Sequence, residues 1–192
     1  MKLYFLRHAQ RGHGEHQDTL TKDGIEQANK LVSHLCKLKV DKVICGALNR
    51  TRKTIEPTIA TLNIPVEFTD EVNERSLGVL QGKPKELKDA LIKSGLTLEE
   101  FKPVSGEDAL DAYNRAKRFV EQLKKQKEQS ILIVSHSGFI SDVATILLKK
   151  PMEENRNYKS GFCALTYFEL DEEFNVIDYK IDQKTVTQQQ FS

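Results

Sequence analysis

The chain has 192 residues, 39% of them hydrophobic, and a length of this order buries roughly 70% of its unfolded surface as one compact domain over residues 1–192. With 29 Lys and Arg against 28 Asp and Glu the net charge is +1, which excludes a global pull toward nucleic acid or an anionic membrane; affinity for an anion must come from a local cluster. No stretch approaches the ~18 apolar residues of a membrane span, Met1–Leu6 is too short for a secretory leader, and Cys36, Cys45 and Cys163 form neither a CxxC pair nor a disulfide framework, so a reduced, cytoplasmic setting is expected.

Lys2–Arg7, rich in Leu, Tyr and Phe, predicts a buried strand. His8–Leu20, with Gly12, Gly14 and many polar side chains, predicts a loop. Thr21 can cap a helix that carries Asp23 in its first turn and Ile25, Ala28, Val32 and Leu35 at helical spacing. Lys42–Cys45 is a second short strand, and Leu48–Leu62 a helix that Pro57 ends or kinks. A third strand over Ile64–Phe68 leads into a loop with Gly78 and Gly82. Short helices are expected at Lys85–Lys93 and Leu98–Phe101. A long amphipathic one is expected at Glu107–Lys125, its apolar face on Leu110, Tyr113, Phe119, Val120 and Leu123. Ser130–Val134 is a continuous apolar run of the kind central parallel strands show. A largely apolar helix over Gly138–Leu148 stops before Pro151. Cys163–Leu170 and Val176–Ile181 predict two strands, and the residues from Gln183 a loose polar tail. Strands alternating with helices give the fold class: α/β, a three-layer sandwich with a mostly parallel central sheet flanked by helices and an antiparallel C-terminal edge.

In such sheets ligands bind beyond the carboxyl ends of the strands. Two histidines fall at those ends, His8 in Leu6-Arg7-His8-Ala9 and His136 in Val134-Ser135-His136-Ser137-Gly138. Arg7 at the end of a buried strand is costly unless an anion meets it. Arg50, just after another strand and near a helix N-terminus, adds a second guanidinium suited to phosphate. Arg52 and Lys53 fit a solvated helix face as readily as the site. His13 and His16 in the loop after His8 raise the question of a metal, but zinc commonly needs three or four converging ligands. The favoured reading puts Arg11, His13 and His16 at the mouth of the pocket, against the non-phosphate part of a substrate.

Leu6-Arg7-His8-Ala9 resembles the LxRHG signature of the histidine phosphatase superfamily, in its phosphoglycerate mutase-like branch. Leu20–Ala28 is similar to its LTxxGxxQA segment, and Leu48, Arg50 and Thr54 to its LxRxxxT segment. Asn73-Glu74-Arg75 with Gly78 and Gly82 is similar to its NERxxGxxxG stretch. Ser105-Gly106-Glu107 and Val134-Ser135-His136 follow in the family's order. The resemblance implies a metal-independent phosphomonoesterase with no cofactor. His8 would take the phosphoryl group, and Arg7, Arg50 and His136 would clamp its oxygens. Glu74 would protonate the leaving oxygen and then take a proton from water. For these roles His8 must be neutral, His136 works best protonated, and Glu74 must start with a proton. Arg75 and Ser137, beside Glu74 and His136, join the expected substrate contacts.

The partner implied is a small phosphorylated metabolite. Two alternatives remain on the sequence alone: a cofactor-dependent phosphoglycerate mutase using the same phosphohistidine, and a phosphoprotein phosphatase or phospho-binding module. Ala9, Cys45-Gly46-Ala47 and Ser137 depart from the family pattern, though none removes a reactive group. Oligomeric state leaves no mark in the sequence.

Overall fold

The computed structural model describes residues 1–183. Six strands form one sheet: β1 (Lys2–Arg7), β2 (Lys42–Gly46), β3 (Val66–Thr69), β4 (Ser130–Ser135), β5 (Leu165–Leu170) and β6 (Val176–Lys180), in the order β3-β2-β4-β1-β5-β6. The first four neighbours run parallel, and β5 and β6 close the sheet antiparallel at one edge. This is the fold class expected from the sequence.

The three layers follow from which residues each strand sends to each face. Leu3, Phe5, Ile131 and Ile133 pack on one side with Phe119, Val120 and Leu123 of α4 (Ala109–Leu123) and Phe139, Ile140 and Val143 of α5 (Ser137–Leu147). Leu6, Val43, Leu132 and Val134 pack on the other with Ala28, Leu31 and Leu35 of α1 (Lys22–Leu35) and Ile55 of α2 (Asn49–Ile59). The central strands are therefore apolar on both faces, which is why they read as continuous runs rather than alternating ones.

Local signals explain the helix ends. Thr21 accepts the Gly24 N–H at 3.0 Å and starts α1. Asp108 and Asp111 form a reciprocal capping box at the start of α4, so Glu107 lies outside that helix and is free to pair elsewhere. Pro57 does not end α2 at the residue before it; the helix runs two residues past the proline, to Ile59. Pro84 opens α3 (Pro84–Ser94), which buries none of its residues fully.

Several expectations change. Leu98–Phe101 contains turns, not a helix: four residues with a Thr97 side chain bonded to Glu100 cannot sustain helical ladders. Ile25 and Leu110, placed on apolar faces by spacing, are 54% and 57% exposed, because the buried stripes run through Ala28, Leu31 and Leu35 and through Tyr113, Ala116 and Phe119 instead. Cys163 precedes β5 in a turn with φ of 57°, and a 3₁₀ segment at Met152–Tyr158 had no sequence signal strong enough to predict it. Most of the polar tail, residues 184–192, lies outside the described residues. Among the described residues no helix is long and apolar enough to cross a membrane.

Candidate functional site

β1 and β4 are adjacent, parallel and in register, with Arg7 opposite Ser135. The chain leaves both strands at the same level, and the His8 N–H donates to Ser135 O at 3.0 Å. His8 and His136 therefore emerge side by side, with ring centroids 5.0 Å apart. They are 3% and 0% exposed. The next strand over, β2, delivers α2, whose first turn holds Arg50 at 5% exposure. Thr54, one turn along α2, accepts the Ala9 N–H at 2.9 Å and donates to Arg50 O at 2.7 Å, tying the loop after β1 to that helix.

The His8 ring is fixed by one bond. Its Nδ1 meets Ala9 O at 2.8 Å, and a carbonyl can only accept, so Nδ1 carries the hydrogen. The lone pair is then on Nε2. Burial pushes the His8 imidazole down to about 3; the Ala9 bond opposes this, and the positive charges of Arg50, Arg7 and Arg11 add to it. His8 is held neutral, as a nucleophile would need. His136 is also driven well below its ordinary value, by burial first and then by Arg50, His8 and Arg7. The protonated His136 expected from the sequence is therefore not the form this site favours by itself: a buried imidazole among guanidinium groups keeps its charge only when an anion joins them.

Buried nitrogens around the two rings lack protein partners. Both ring nitrogens of His136, Nε of Arg7 and Nε of Arg50 have none. Arg7 spends one nitrogen on Ser160 O at 2.6 Å and lies over the Phe162 ring at 4.2 Å, while that ring also faces His8 at 5.6 Å. Arg50 donates to Asp18 at 3.0 Å, and the same carboxylate accepts the Asn49 and Arg50 backbone N–H groups at the start of α2. Unpaired buried donors of this kind call for an acceptor-rich ligand, and a tetrahedral oxyanion supplies one.

Glu74 reaches the centre from the loop after β3. One oxygen accepts the Gly138 N–H at the start of α5 at 3.3 Å, the other the Arg75 N–H at 3.2 Å. The loop is clamped from behind by Arg115 of α4. Arg115 bonds both Glu107 oxygens at 2.8 and 2.9 Å and, through Nη1, the carbonyls of Glu71 and Asn73. Glu107 also accepts the Ser76 N–H. At Gly78, with φ of 52°, a side chain would run into Val104 O, so glycine lets the loop lie against residues 104–106.

Glu74 and Arg75 line two cavities. One, of about 370 Å³, lies on the Arg50 side and is bounded by Asn73, Glu107 and Arg115. The other, of about 580 Å³, lies on the Arg7 side and runs past Gly138 to Asp142.

A family model described as the histidine phosphatase superfamily (branch 1) matches residues 3–183. The chain belongs to this superfamily. It is 28% identical over 189 residues to the adenosylcobalamin/alpha-ribazole phosphatase of Escherichia coli, covering 91% of this chain and 92% of that protein. It is 25% identical over 190 residues to phosphoserine phosphatase 1 of Hydrogenobacter thermophilus, covering 92% and 90%. The crystal structure of the alpha-ribazole phosphatase from Shigella flexneri superimposes with a TM-score of 0.80 at 24% identity, covering 96% of this chain and 97% of that one, which shows the shared fold.

Within this superfamily member the predicted residues divide. Arg7, His8, Arg50, Glu74 and His136 come together. Arg11 joins them: it is half-buried and close enough for its charge to bear on Arg7, His8 and Arg50. Arg75 lines both cavities, and Ser137 bridges to Ser160 beneath Arg7. His13 is exposed beside Arg11 in a separate cavity of about 200 Å³. The His16 ring is exposed and lines none of these cavities; its carbonyl instead accepts from Thr19 and holds the loop. Among the described residues no group of three or more His, Cys, Asp or Glu is gathered to hold a metal.

Four residues that shape the site are not among those expected from the sequence. Asp18 and Phe162 carry no spacing signal. Arg115 lies on α4 eight residues beyond Glu107, which precedes that helix, so helical spacing does not mark the pair. Asp142 is a carboxylate inside an apolar helix, which could have marked it.

Proposed function

We propose that the protein is a phosphomonoesterase that hydrolyses a small phosphorylated metabolite, without a metal, through a phosphohistidine on His8. The observation that carries this reading is the His8 ring itself. Its Nδ1–H is held by Ala9 O, its Nε2 lone pair is free, and unpaired donors of Arg7, Arg50 and His136 surround it.

In the first step the Nε2 lone pair attacks phosphorus. The P–N bond forms, the P–O ester bond breaks, and the leaving oxygen takes a proton from Glu74. In the second step water attacks phosphorus, gives its proton to the Glu74 carboxylate, and the P–N electron pair returns to Nε2. Inorganic phosphate leaves, and the enzyme is back at its starting state. Splitting the displacement avoids direct attack by water on an unactivated ester.

The guanidinium groups and His136 would stabilise the spread charge of the transferring group, which is most of what phosphoryl transfer asks of a protein. Each charge-assisted bond contributes about 1.5–3 kcal/mol. The incoming dianion also supplies what His136 lacks, a negative partner that favours its protonation.

The relatives support the substrate class. The Escherichia coli and Hydrogenobacter proteins are named for alpha-ribazole and phosphoserine phosphatase activities. The test is rapid quenching of turnover with a radiolabelled phosphate ester, followed by peptide mapping. Acid-labile, base-stable label on His8 is expected; label on Ser135, Ser137 or a cysteine overturns the mechanism.

A further inference from the structure

The cavity on the Arg7 side joins two surfaces that a bare phosphate site does not need. One wall is apolar, made by Leu77, by Leu87 of α3 and by Leu98. Leu98 is 42% exposed, and Leu77 and Leu87 are half-buried, so this wall is only partly covered. Apolar surface left open beside a reactive centre is where a ligand's apolar part belongs.

The opposite end is a buried acceptor. Asp142 lies one helical turn beyond Gly138 on α5, so it shares the face on which Gly138 meets Glu74. It is 6% exposed, and its hydrogen bond is from the Asn155 side-chain amide at 2.8 Å. Burial, with Glu74 nearby, raises the Asp142 carboxyl to about 6 even though Asn155 favours the ionised form. A carboxylate has about four acceptor sites, and one amide leaves most of them for a donor in the cavity.

We propose that this cavity receives the alcohol part of the substrate, and that Asp142, steadied by Asn155, accepts a hydrogen bond from a second hydroxyl or amine of that alcohol. The preferred substrates are then phosphate esters of alcohols with an apolar body and a distal hydrogen-bond donor. A carboxylate in place of that donor is disfavoured, because it would be set against the like charge of Asp142. This rests on the phosphomonoesterase reading above and deepens it.

The test compares kcat/KM for benzyl phosphate, its hydroxymethyl-substituted analogue, glycerol 1-phosphate and 3-phosphoglycerate. The hydroxymethyl ester is expected to be best and 3-phosphoglycerate poorest. Asp142→Asn replaces a charged acceptor with a neutral one and should lower the ratio of hydroxymethylbenzyl to benzyl ester about tenfold; Asp142→Ala should lower it at least as far. Leu87→Ser should lower the ratio of benzyl ester to glycerol 1-phosphate. A purely structural role for Asp142 would scale all four esters together and leave the ratios where they were, which overturns the inference. Wild-type protein is also assayed with para-nitrophenyl phosphate. Phosphate release and label on His8 alongside unmoved ratios sink this inference alone. No release and no label sink the phosphomonoesterase reading, and this inference with it.

Discussion

The carboxylate of Glu74 and the backbone N–H of Gly138 meet at 3.3 Å, and they can do so only because residue 138 has no Cβ: a methyl group there would collide with Glu74 Oε1. The atom in the way is the end of a flexible side chain, so it is Glu74 that would yield. Gly138→Ala is therefore expected to leave the thermal midpoint within a few degrees of wild type while turning Glu74 away. Activity on alkyl phosphates should fall at least ~10-fold, as general acid catalysis contributes about 10²–10⁴-fold. Differential scanning fluorimetry beside a phosphate-release assay checks it. A large loss of stability with activity intact would mean that the helix, not the carboxylate, had moved.

Glu74→Gln removes the proton donor and keeps the shape. Alkyl phosphates, whose leaving oxygen needs a proton, should slow by about 10²-fold or more; activated aryl phosphates should slow far less. A plot of rate against leaving-group pKa reads the difference directly. Equal losses on both would assign Glu74 another task.

Arg115 links α4 to the loop that carries Glu74. Arg115→Met strands Glu107, and breaking a largely buried pair costs about 3 kcal/mol. The double substitution Arg115→Met with Glu107→Leu should recover most of that stability in urea melts. It should not recover hydrolysis of alkyl phosphates, because the bonds from Arg115 to the Glu71 and Asn73 carbonyls, and from the Ser76 N–H to Glu107, are still missing. Recovery of both together would reduce Arg115 to a stabilising role.

The two histidines predict a pH dependence of stability. Folding lowers the proton affinity of both, His8 from 6.5 to about 3. The unfolded chain thus binds more protons below its ordinary imidazole range, so their contribution is fully present above about pH 6.5 and is lost as pH falls below it. Asp142 acts oppositely: raised from 3.8 to about 6, it costs stability above about 6, and that cost fades on acidification. Urea midpoints between about pH 7.5 and 5 should decline less steeply in His8→Asn than in wild type. Parallel curves would show that His8 is not held neutral.

Hydrolysis should outrun isomerisation. The loop from His8 to Leu20 is short, no Arg-Arg dipeptide occurs in the chain, and Lys83-Pro84-Lys85 follows the NERxxGxxxG-like stretch. Water is then the expected acceptor from phosphohistidine. Phosphate release measured against conversion of 3-phosphoglycerate, with bisphosphoglycerate as primer, decides the matter. Vanadate, which mimics the transferring phosphoryl group, should inhibit. Isomerisation faster than release by orders of magnitude would make the enzyme a mutase.

The sheet was legible because β1, β2 and β4 are sealed on both faces and so appear as unbroken apolar runs. Arg7, His8 and His136 were legible because the ends of such strands are where reactive side chains collect. Exposure along α1 and α4 was less so: Ile25 and Leu110 satisfy the helical period, but which side of a broad apolar stripe is covered depends on the neighbouring helix. The Glu74–Gly138 contact and the Asp18–Arg50 pair join segments separated by 64 and 32 residues, and no local pattern encodes where those segments meet. Leu98–Phe101 forms turns where a helix is expected, because an apolar residue at each end of a four-residue stretch is too little to distinguish a helix from a turn.

The pairing of β1 with β4 has a consequence for how the molecule fails. His8 and His136 hang from the two innermost strands, and a slip of one residue between them would turn one imidazole to the opposite face of the sheet. Glu74, by contrast, is carried by a loop whose hold is a handful of polar bonds. Amide exchange should therefore be slowest at Phe5 and Ile133 and much faster around Asn73–Ser76. Heat or denaturant would first dull the choice of leaving group, and only afterwards, when the sheet itself opens, abolish phosphoryl capture.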